Sequence, residues 1–389
     1  MRDTLEQAVL SYGPTQDEIS ALIEDGVSRE AVHDKARKYI SQLQSENLPD
    51  SLALSEKIAR FLLRRLQIKP TGNVGVLDQM REGGVSLIAN HFSYCDAGLL
   101  PLLFNDSEIP NVYYMGGQNV FDVPILGPFL KYWLTSSGLI PIKRKLMKRK
   151  ERQWAKLYTT EVQGTAHHLL GRGDNLVNFS GRGRHRSGIE EADCTASPSI
   201  MMDSREIYAV TITYEIVPDE KQLFSPSRKK KSANIFAAIF AAWQNASGIA
   251  YVHFGEPVHV EKNGKMPSRG AVQQFHTDVT ERLRMGVCVT PNNAFAYALL
   301  RIGNQAAIID KDAISEGMMR VARIAESSGM PVSPKLTPHG IRQATQEAYA
   351  HFKELKAVGP NGTGMELYKA APIEFYASQI EHGINHKLN

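Results

Sequence analysis

Cysteine is scarce in this chain, and the few positions it occupies exclude the common disulfide and zinc frameworks. The 389 residues include three cysteines, Cys95, Cys194 and Cys288. Their number is odd, they are far apart, and no Cys-x-x-Cys pair occurs, so the pattern predicts reduced thiols without a metal. Such cysteine usage is typical of a cytosolic protein.

Long apolar runs are also missing. No stretch reaches about 18 uncharged apolar residues, the length that a membrane-spanning helix needs. The nearest is 120–142, which Asp122, Pro124 and Lys131 interrupt. The first residues are partly acidic and contain no apolar core of a signal peptide. We therefore expect a cytoplasmic protein that meets a membrane at its surface, peripherally on the inner face.

Neither sign of charge is in large excess. Lys and Arg number 45 against 41 Asp and Glu, a net charge of +4, and 42% of the residues are hydrophobic, enough for a substantial core. The positive charge is nevertheless clustered at 143–150 and 228–231. Each cluster indicates either a solvated charged surface or a contact with anionic lipid headgroups. The apolar stretch 235–243 beside the second cluster is either an interfacial helix or core.

The hydrophobic pattern divides the chain into three parts. Residues 1–72 and 291–389 have helical periodicity, whereas 73–290 alternates short apolar strands with helices. Strands are expected at 85–89, 111–115, 139–142, 175–179, 207–214 and 250–254. The alternation predicts an α/β catalytic domain with a mixed central sheet and flanking helices, on which N-terminal and C-terminal helical segments pack.

Three local predictions accompany this division. Thr15-x-x-Glu18 has the form of a capping box at the start of a helix. The apolar spacing of 54–66 predicts another helix, and the glycines and proline of 359–364 predict a loop.

A histidine and an aspartate follow the first expected strand of the central part. His91 and Asp96 lie just beyond 85–89, where a strand would end in a turn. An imidazole held by a carboxylate is a general base suited to a hydroxyl group. The plainer interpretation is a histidine that caps a turn, since both residues are common. Cys95 lies inside the same turn without a base of its own, and we interpret it as a packing residue.

Two cationic segments follow later in the chain. Lys143 and Arg144 come directly after the strand 139–142, where adjacent cations could hold a phosphate outside the sheet edge. The stretch 179–188 contains three arginines among three glycines, and guanidinium groups bind phosphate bidentately. It is not a P-loop, because no Gly-Lys-Ser/Thr follows. Alone it could be a nucleic-acid-binding tract, but its shortness and its place after a strand favour a folded site.

These elements, in this order, resemble the glycerolipid acyltransferase family, and in particular its glycerol-3-phosphate and dihydroxyacetone-phosphate acyltransferase branch. His91, Ser93 and Asp96 fit the family's first block, His-x-Ser-x-x-Asp. The second block, Gly-x-Phe-Ile-Arg-Arg, resembles 138–144, with Lys143 in place of the first arginine.

The third and fourth blocks extend the resemblance. The third, Phe-x-Glu-Gly-x-Arg-Ser-Arg, overlies 179–186 and matches Arg184 and Arg186, with Gly183 at the variable position. The chain departs from it at Gly181, where the family usually has glutamate, and at Arg182, where it has glycine. The fourth block is similar to the strand 209–215, and 254–257 is also typical of the family.

The resemblance implies a chemistry and a set of site residues. It implies transfer of a fatty acyl group from acyl carrier protein or acyl-CoA to a hydroxyl of glycerol 3-phosphate, in phospholipid synthesis. His91 would take the hydroxyl proton while Asp96 orients the ring, and Ser93 and Gly183 would support their motifs. The phosphate would be bound by four cations: Lys143, Arg144, Arg184 and Arg186. No metal and no cofactor beyond the acyl co-substrate is implied.

Other interpretations stay open. The acceptor could instead be lysophosphatidic acid, dihydroxyacetone phosphate or another lysolipid. A different class is a basic protein that binds a membrane surface or nucleic acid through 143–150 and 228–231. For the acyltransferase we expect peripheral contact with an anionic membrane and no nucleic-acid partner.

Overall fold

The structure is a computed structural model, and it describes residues 2–117, 127–143, 152–180, 194–224, 244–262, 265–303, 309–361 and 364–385. Four helices precede the sheet: α1 (Arg2–Ser11), α2 (Gly13–Glu24), α3 (Arg29–Leu43) and α4 (Pro49–Leu62). Ser28 caps α3, because its hydroxyl accepts the backbone N–H of Ala31 at 3.2 Å.

A seven-stranded mixed sheet forms the centre of the molecule. Its strands are β1 (Leu66–Gly72), β2 (Val85–Ala89), β3 (Val112–Gly117), β4 (Leu139–Ile142), β5 (Asn175–Phe179), β6 (Glu206–Tyr214) and β7 (Gly248–Pro257). They lie in the order β1-β7-β6-β2-β5-β3-β4. Strands β2 to β6 run parallel, β7 is antiparallel to β6, and β1 is parallel to β7. The prediction of an α/β fold with a mixed sheet is confirmed, and all six expected strands are present.

Helices connect and cover the strands. Those within the central part are α5 (Val76–Glu82), α6 (Asp96–Asp106), α7 (Gly127–Thr135), α8 (Arg152–Gly171), α9 (Ser197–Asp203), α10 (Glu220–Leu223) and α11 (Arg269–Met285). The C-terminal part contains α12 (Pro291–Gly303), α13 (Lys311–Ser327), α14 (Ile341–Glu354) and α15 (Ala370–Asn385), with a hairpin of β8 (Val358–Asn361) and β9 (Gly364–Leu367).

The core lies on both faces of the sheet. On one face Leu87, Val177 and Val210 belong to a buried cluster that also includes residues of α6 and of the C-terminal helices. On the other face Ile88 and Leu176 pack in a cluster with α3, α8, α9 and α11. Strands β2 and β5 are buried along their whole length, as expected for parallel strands covered by helices on both sides.

Three local predictions differ from the structure. Residues 66–72 form the edge strand β1, where Pro70 is tolerated, instead of the end of a helix. The capping box is wrong, because α2 begins at Gly13 and Thr15 is buried inside it. The loop expected at 359–364 is wrong for 359–361 and for Gly364, which belong to the strands β8 and β9. The division into regions 1–72, 73–290 and 291–389 stays a prediction, although β1 joins the central sheet from before residue 73.

Candidate active site

The His–Asp motif lies where β2 ends, at the carboxyl edge of the parallel strands. Asn90 continues the pairing with β6 beyond the last residue of β2. Its side-chain amide donates to the Ile212 carbonyl at 2.9 Å, and its Oδ1 accepts the Ile212 N–H at 2.7 Å. These two hydrogen bonds attach Asn90 to β6 and so fix the position of the backbone at the start of the turn that follows.

Asp96 is the first residue of α6 and organises this turn. Its Oδ2 accepts hydrogen bonds from the backbone N–H groups of Phe92 at 2.9 Å and Ser93 at 3.0 Å, and from Nδ1 of His91 at 2.9 Å. The side chain is fully buried, with 0% exposure. The N-terminus of a helix further favours a carboxylate at this position.

Tyr214, the last residue of β6, satisfies the second carboxylate oxygen. Its hydroxyl donates to Asp96 Oδ1 at 2.6 Å. Burial, together with the nearby Asp96, raises the pKa of Tyr214 well above its ordinary value, so the hydroxyl stays protonated and remains a donor. Each oxygen of Asp96 thus has a partner, which compensates for burial of the carboxylate.

His91 is held in one tautomer and reaches the surface. Because Nδ1 donates to Asp96, Nε2 is left with the lone pair that a general base requires. The side chain is 18% exposed, and its ring centroid lies 5.3 Å from that of Phe179, the last residue of β5. The backbone N–H groups of Phe92 and Ser93 already bind Asp96 and close the turn, so the turn does not require a histidine. The interpretation of His91 as a residue that only caps the turn therefore does not explain its hydrogen bond to Asp96.

Ser93 connects the turn to a second buried carboxylate. Its hydroxyl donates to Asp219 Oδ1 at 2.7 Å and accepts the N–H of Cys95 at 3.1 Å. Both Ser93 and Asp219 are fully buried. Ser93 thus supports the shape of the turn instead of presenting its hydroxyl to solvent.

The predicted phosphate-binding residues are described only in part. Lys143 follows β4, three strands from β2 and on the order of 14 Å away at the usual strand spacing. Its Nζ lies 5.9 Å from the ring centroid of Tyr39, on the side of the sheet that α3 and α8 cover. Arg144, Gly183, Arg184 and Arg186 lie outside the described residues, so their role stays a prediction.

The start of the arginine-rich segment is nevertheless fixed relative to the His–Asp pair. Strand β5 is the parallel neighbour of β2, and Ser180, which follows it, donates its N–H to the Ala89 carbonyl at 2.7 Å. The chain therefore leaves β5 at the same edge as His91, at the first residues of the segment that resembles the family's third block.

The cysteines and acidic groups give no sign of other chemistry within the described ranges. All three cysteines are buried and outside any disulfide, and Cys95 packs in the main core cluster. No group of three or more His, Cys, Asp or Glu side chains suited to a metal ion occurs in the part of the chain that the structure describes. The absence of a metal or cofactor stays a prediction.

Sequence reasoning did not assign roles to Asn90, Tyr214 and Asp219. Tyr214 ends the most strand-like segment of the chain, so its place at the strand's carboxyl end was a usable signal. Asp219 has no such signal, because nothing local distinguishes it from any acidic loop residue.

Comparison with known proteins agrees with this geometry. Residues 71–191 match the family model described as Acyltransferase, a range that includes His91, Asp96 and both cationic segments. That part of the chain is therefore similar to acyltransferase domains.

More particular relatives match over most of the chain. Proteins named glycerol-3-phosphate acyltransferase from Pseudomonas paraeruginosa and Pseudomonas aeruginosa are 23% identical over 392 aligned positions, covering 92% of this chain. The chain spans 45% of the length of these relatives. These similarities support the resemblance to the glycerolipid acyltransferase family. Within the described ranges, no helix has the length and apolar character needed to cross a bilayer.

Proposed function

We propose that the protein transfers a fatty acyl group from the thioester of acyl carrier protein or coenzyme A to a hydroxyl of glycerol 3-phosphate. The observation that carries the proposal is the His91–Asp96 couple, with Nδ1 bound to a fully buried carboxylate at 2.9 Å. The names of the relatives support the choice of acceptor. The proposed setting is phospholipid synthesis by a cytoplasmic protein held peripherally on the inner membrane face.

The proposed reaction needs no covalent enzyme intermediate. Nε2 of His91 takes the proton of the acceptor hydroxyl as the oxygen attacks the thioester carbonyl carbon. The resulting tetrahedral intermediate collapses with cleavage of the carbon–sulfur bond, and the imidazolium returns its proton to the departing thiolate. Asp96 keeps the tautomer and stabilises the imidazolium, as in serine hydrolases. Positioning of the acceptor oxygen supplies a further large part of the rate.

The base assignment is tested with His91→Ala. General-base catalysis typically contributes a factor of roughly 100 to 10,000, so turnover should fall by at least about 100-fold. The assay uses purified protein, glycerol 3-phosphate and an acyl thioester, with the lipid product identified by mass spectrometry. Near-normal turnover in the variant would remove His91 from the mechanism.

The phosphate assignment has a separate test. Arg184→Ala should mainly raise the apparent KM for the phosphorylated acceptor, because a guanidinium contact to phosphate contributes to binding in both the ground state and the transition state. The matched change Arg172→Ala, on the exposed side of the loop after α8, should leave that KM unchanged. An unchanged KM for Arg184→Ala would move phosphate binding elsewhere.

Competition among acceptors decides between the related activities. Glycerol 3-phosphate, dihydroxyacetone phosphate, lysophosphatidic acid and another lysolipid are offered together, and the products are separated by mass. A predominance of phosphatidic acid or acyl-dihydroxyacetone phosphate would assign one of the alternative acceptors to the same site.

A further inference from the structure

Large apolar side chains remain exposed on two neighbouring helices, α4 and α7. On α4, Leu54 is 43% exposed and Phe61 is 58% exposed. On α7, Tyr132 is 66% exposed. The helices belong to one surface, because Ser55 of α4 and Ser137, just after α7, share a hydrogen bond of 2.7 Å between their hydroxyls.

The apolar residues of α4 form a stripe along one side of the helix. Leu54, Ile58 and Phe61 are spaced at i, i+4 and i+7, which places them on the same face. We call these three residues the α4 stripe. The opposite face of α4 is turned inward, where Ala59 and Leu63 are buried.

Cations accompany the α4 stripe. Lys57, Arg64 and Arg65 are exposed, and the guanidinium of Arg64 lies 4.9 Å from the Phe61 ring centroid. The acidic residue nearest in sequence, Glu56, lies on another side of the helix and pairs with Arg60 at 2.7 Å. An apolar stripe flanked by basic residues is the pattern of a helix that lies in a membrane interface.

The C-terminal end of α4 lies at the sheet edge that carries the His–Asp pair. Strand β1 follows α4 and runs antiparallel to β2, so β1 starts at the edge where β2 ends. The inner face of α4 also packs on the first turn of α6. A methyl group placed on Gly98 would lie 3.7 Å from Ala59 Cβ and 3.8 Å from Leu63 Cδ1. Gly98 is two residues from Asp96.

We propose that the α4 stripe, with Lys57, Arg64 and Arg65, docks the protein on an anionic phospholipid bilayer. The positive charge of these three residues favours an anionic bilayer over a second copy of the chain as the partner. In a twofold dimer the same patch would be buried against itself, so the three cations of each copy would share one interface with few acidic residues to offset them. Anionic headgroups instead attract them while the stripe enters the acyl boundary.

The docking surface deepens the proposed function and rests on it for its purpose. An acyl transfer that yields a lipid needs a route for an insoluble chain from the catalytic edge to the bilayer. A helix packed on the first turn of α6 brings the bilayer to that edge. The binding itself follows from exposure and charge and does not depend on catalysis.

The test is sedimentation of the full chain with vesicles. The vesicles contain either phosphatidylcholine alone or an equal mixture of phosphatidylcholine and phosphatidylglycerol. The natural chain should bind the anionic vesicles, and binding should weaken with salt. The double variant L54S/F61S should bind at least about 10-fold more weakly, since two apolar side chains no longer enter the bilayer. R64Q/R65Q should lose about 25-fold on anionic vesicles alone, roughly 5-fold for each cation.

The matched control is Val74→Ser. Val74 is 46% exposed and follows β1, at the opposite edge of the sheet from His91. This variant should bind vesicles as the natural chain does. Unchanged vesicle binding by both α4 double variants would overturn the proposal. A dimer seen by analytical ultracentrifugation and lost in L54S/F61S would also overturn it, in favour of a second copy.

Failure of the docking surface and failure of the proposed function are distinguishable. With a short, water-soluble acyl thioester, L54S/F61S should keep the turnover of the natural chain, whereas His91→Ala should lose turnover and keep vesicle binding. Vesicle binding that depends on α4 in a chain without acyl transfer would retain the docking surface and reject the proposed function. If L54S/F61S instead loses turnover of the water-soluble substrate, the α4 stripe is required for catalysis itself, and its role as a separate docking element would be rejected.

Discussion

The orientation of His91 depends on two fully buried residues. Asp96 holds the imidazole, and Tyr214 in turn occupies the other oxygen of Asp96. Without the tyrosine hydroxyl, that buried oxygen would lack a donor, and only the bonds to Oδ2 would hold the carboxylate in the orientation that binds the ring. Tyr214 is therefore a positioning residue for the proposed base.

Replacement of Tyr214 by phenylalanine tests this at the scale of one hydroxyl. We expect kcat to fall roughly 10-fold, because a hydrogen bond to a charged group is worth about 1.5–3 kcal/mol. The acceptor KM should change little, since the Tyr214 hydroxyl is buried and bound to Asp96. The control is Tyr208→Phe on the same strand, whose hydroxyl donates to Gln79 instead. Equal kcat values in the two variants would contradict the role of Tyr214.

At the scale of secondary structure, α8 contains a buried carboxyl group. Glu161 is fully buried, and neither of its side-chain oxygens has a hydrogen-bond partner among the residues that the structure describes. Burial raises its pKa to about 9 from an ordinary 4.5. The group is therefore neutral in the folded protein at neutral pH, whereas in the unfolded chain it is ionised.

The sign of the resulting pH dependence follows from proton binding. Between pH 4.5 and about 9 the folded state holds a proton on Glu161 that the unfolded state has lost. The free energy of unfolding from this group therefore decreases as pH rises through that range. Below pH 4.5 the residue is protonated in both states and makes no such difference.

Glu161→Gln isolates this effect, because glutamine is neutral at every pH and almost the same size. At pH 5 the melting temperatures of the variant and the natural protein should be close. At pH 8.5 the variant should melt a few degrees higher, at about 2–4 °C per kcal/mol. Differential scanning fluorimetry across the range, with the exposed Glu30→Gln as control, checks this expectation. A constant difference between variant and natural protein at all pH values would show that the charge of Glu161 is not responsible.

At the scale of the whole molecule, the C-terminal helices hold the loop that supports the His–Asp turn. Tyr376 of α15 donates to Glu220 at 2.6 Å and accepts the N–H of Val217 at 3.0 Å. His351 of α14 lies 3.2 Å from the same carboxylate. The neighbour of Glu220 is Asp219, which accepts the hydroxyl of Ser93. Helices α14 and α15 are thus connected to the motif through the buried residues 217–220.

Tyr376→Phe tests whether this connection matters for activity. The loop loses two hydrogen bonds, so we expect kcat to fall several-fold with the acceptor KM unchanged, and the protein to lose about 1–3 kcal/mol of stability. The control is Tyr368→Phe, at a mostly exposed tyrosine beside the hairpin. If the Tyr376→Phe protein is less stable but keeps the kcat of the natural protein, the Tyr376 hydrogen bonds contribute to stability and not to activity.

The sequence predicts most elements of the sheet because their signals are local. Runs rich in apolar and β-branched residues mark β2, β4 and β5 at the bounds found in the structure. Strand β1 is not predicted by such local signals. Its sequence contains Lys69 and Pro70 and continues the apolar spacing of the preceding helix, and only pairing with β7 makes it a strand. The antiparallel direction of β7 likewise cannot be predicted from the sequence of that strand alone.

By itself, the sequence determined the His–Asp pair, because its geometry is closed within one turn: the two residues are five positions apart, and the backbone N–H groups that bind Asp96 lie between them. The tertiary structure alone decided what fixes that pair. Tyr214 lies 118 positions from Asp96, and Asp219 lies 126 positions from Ser93. Contacts over such separations arise from the order and direction of strands, and these depend on the packing of the entire sheet between its two layers of helices.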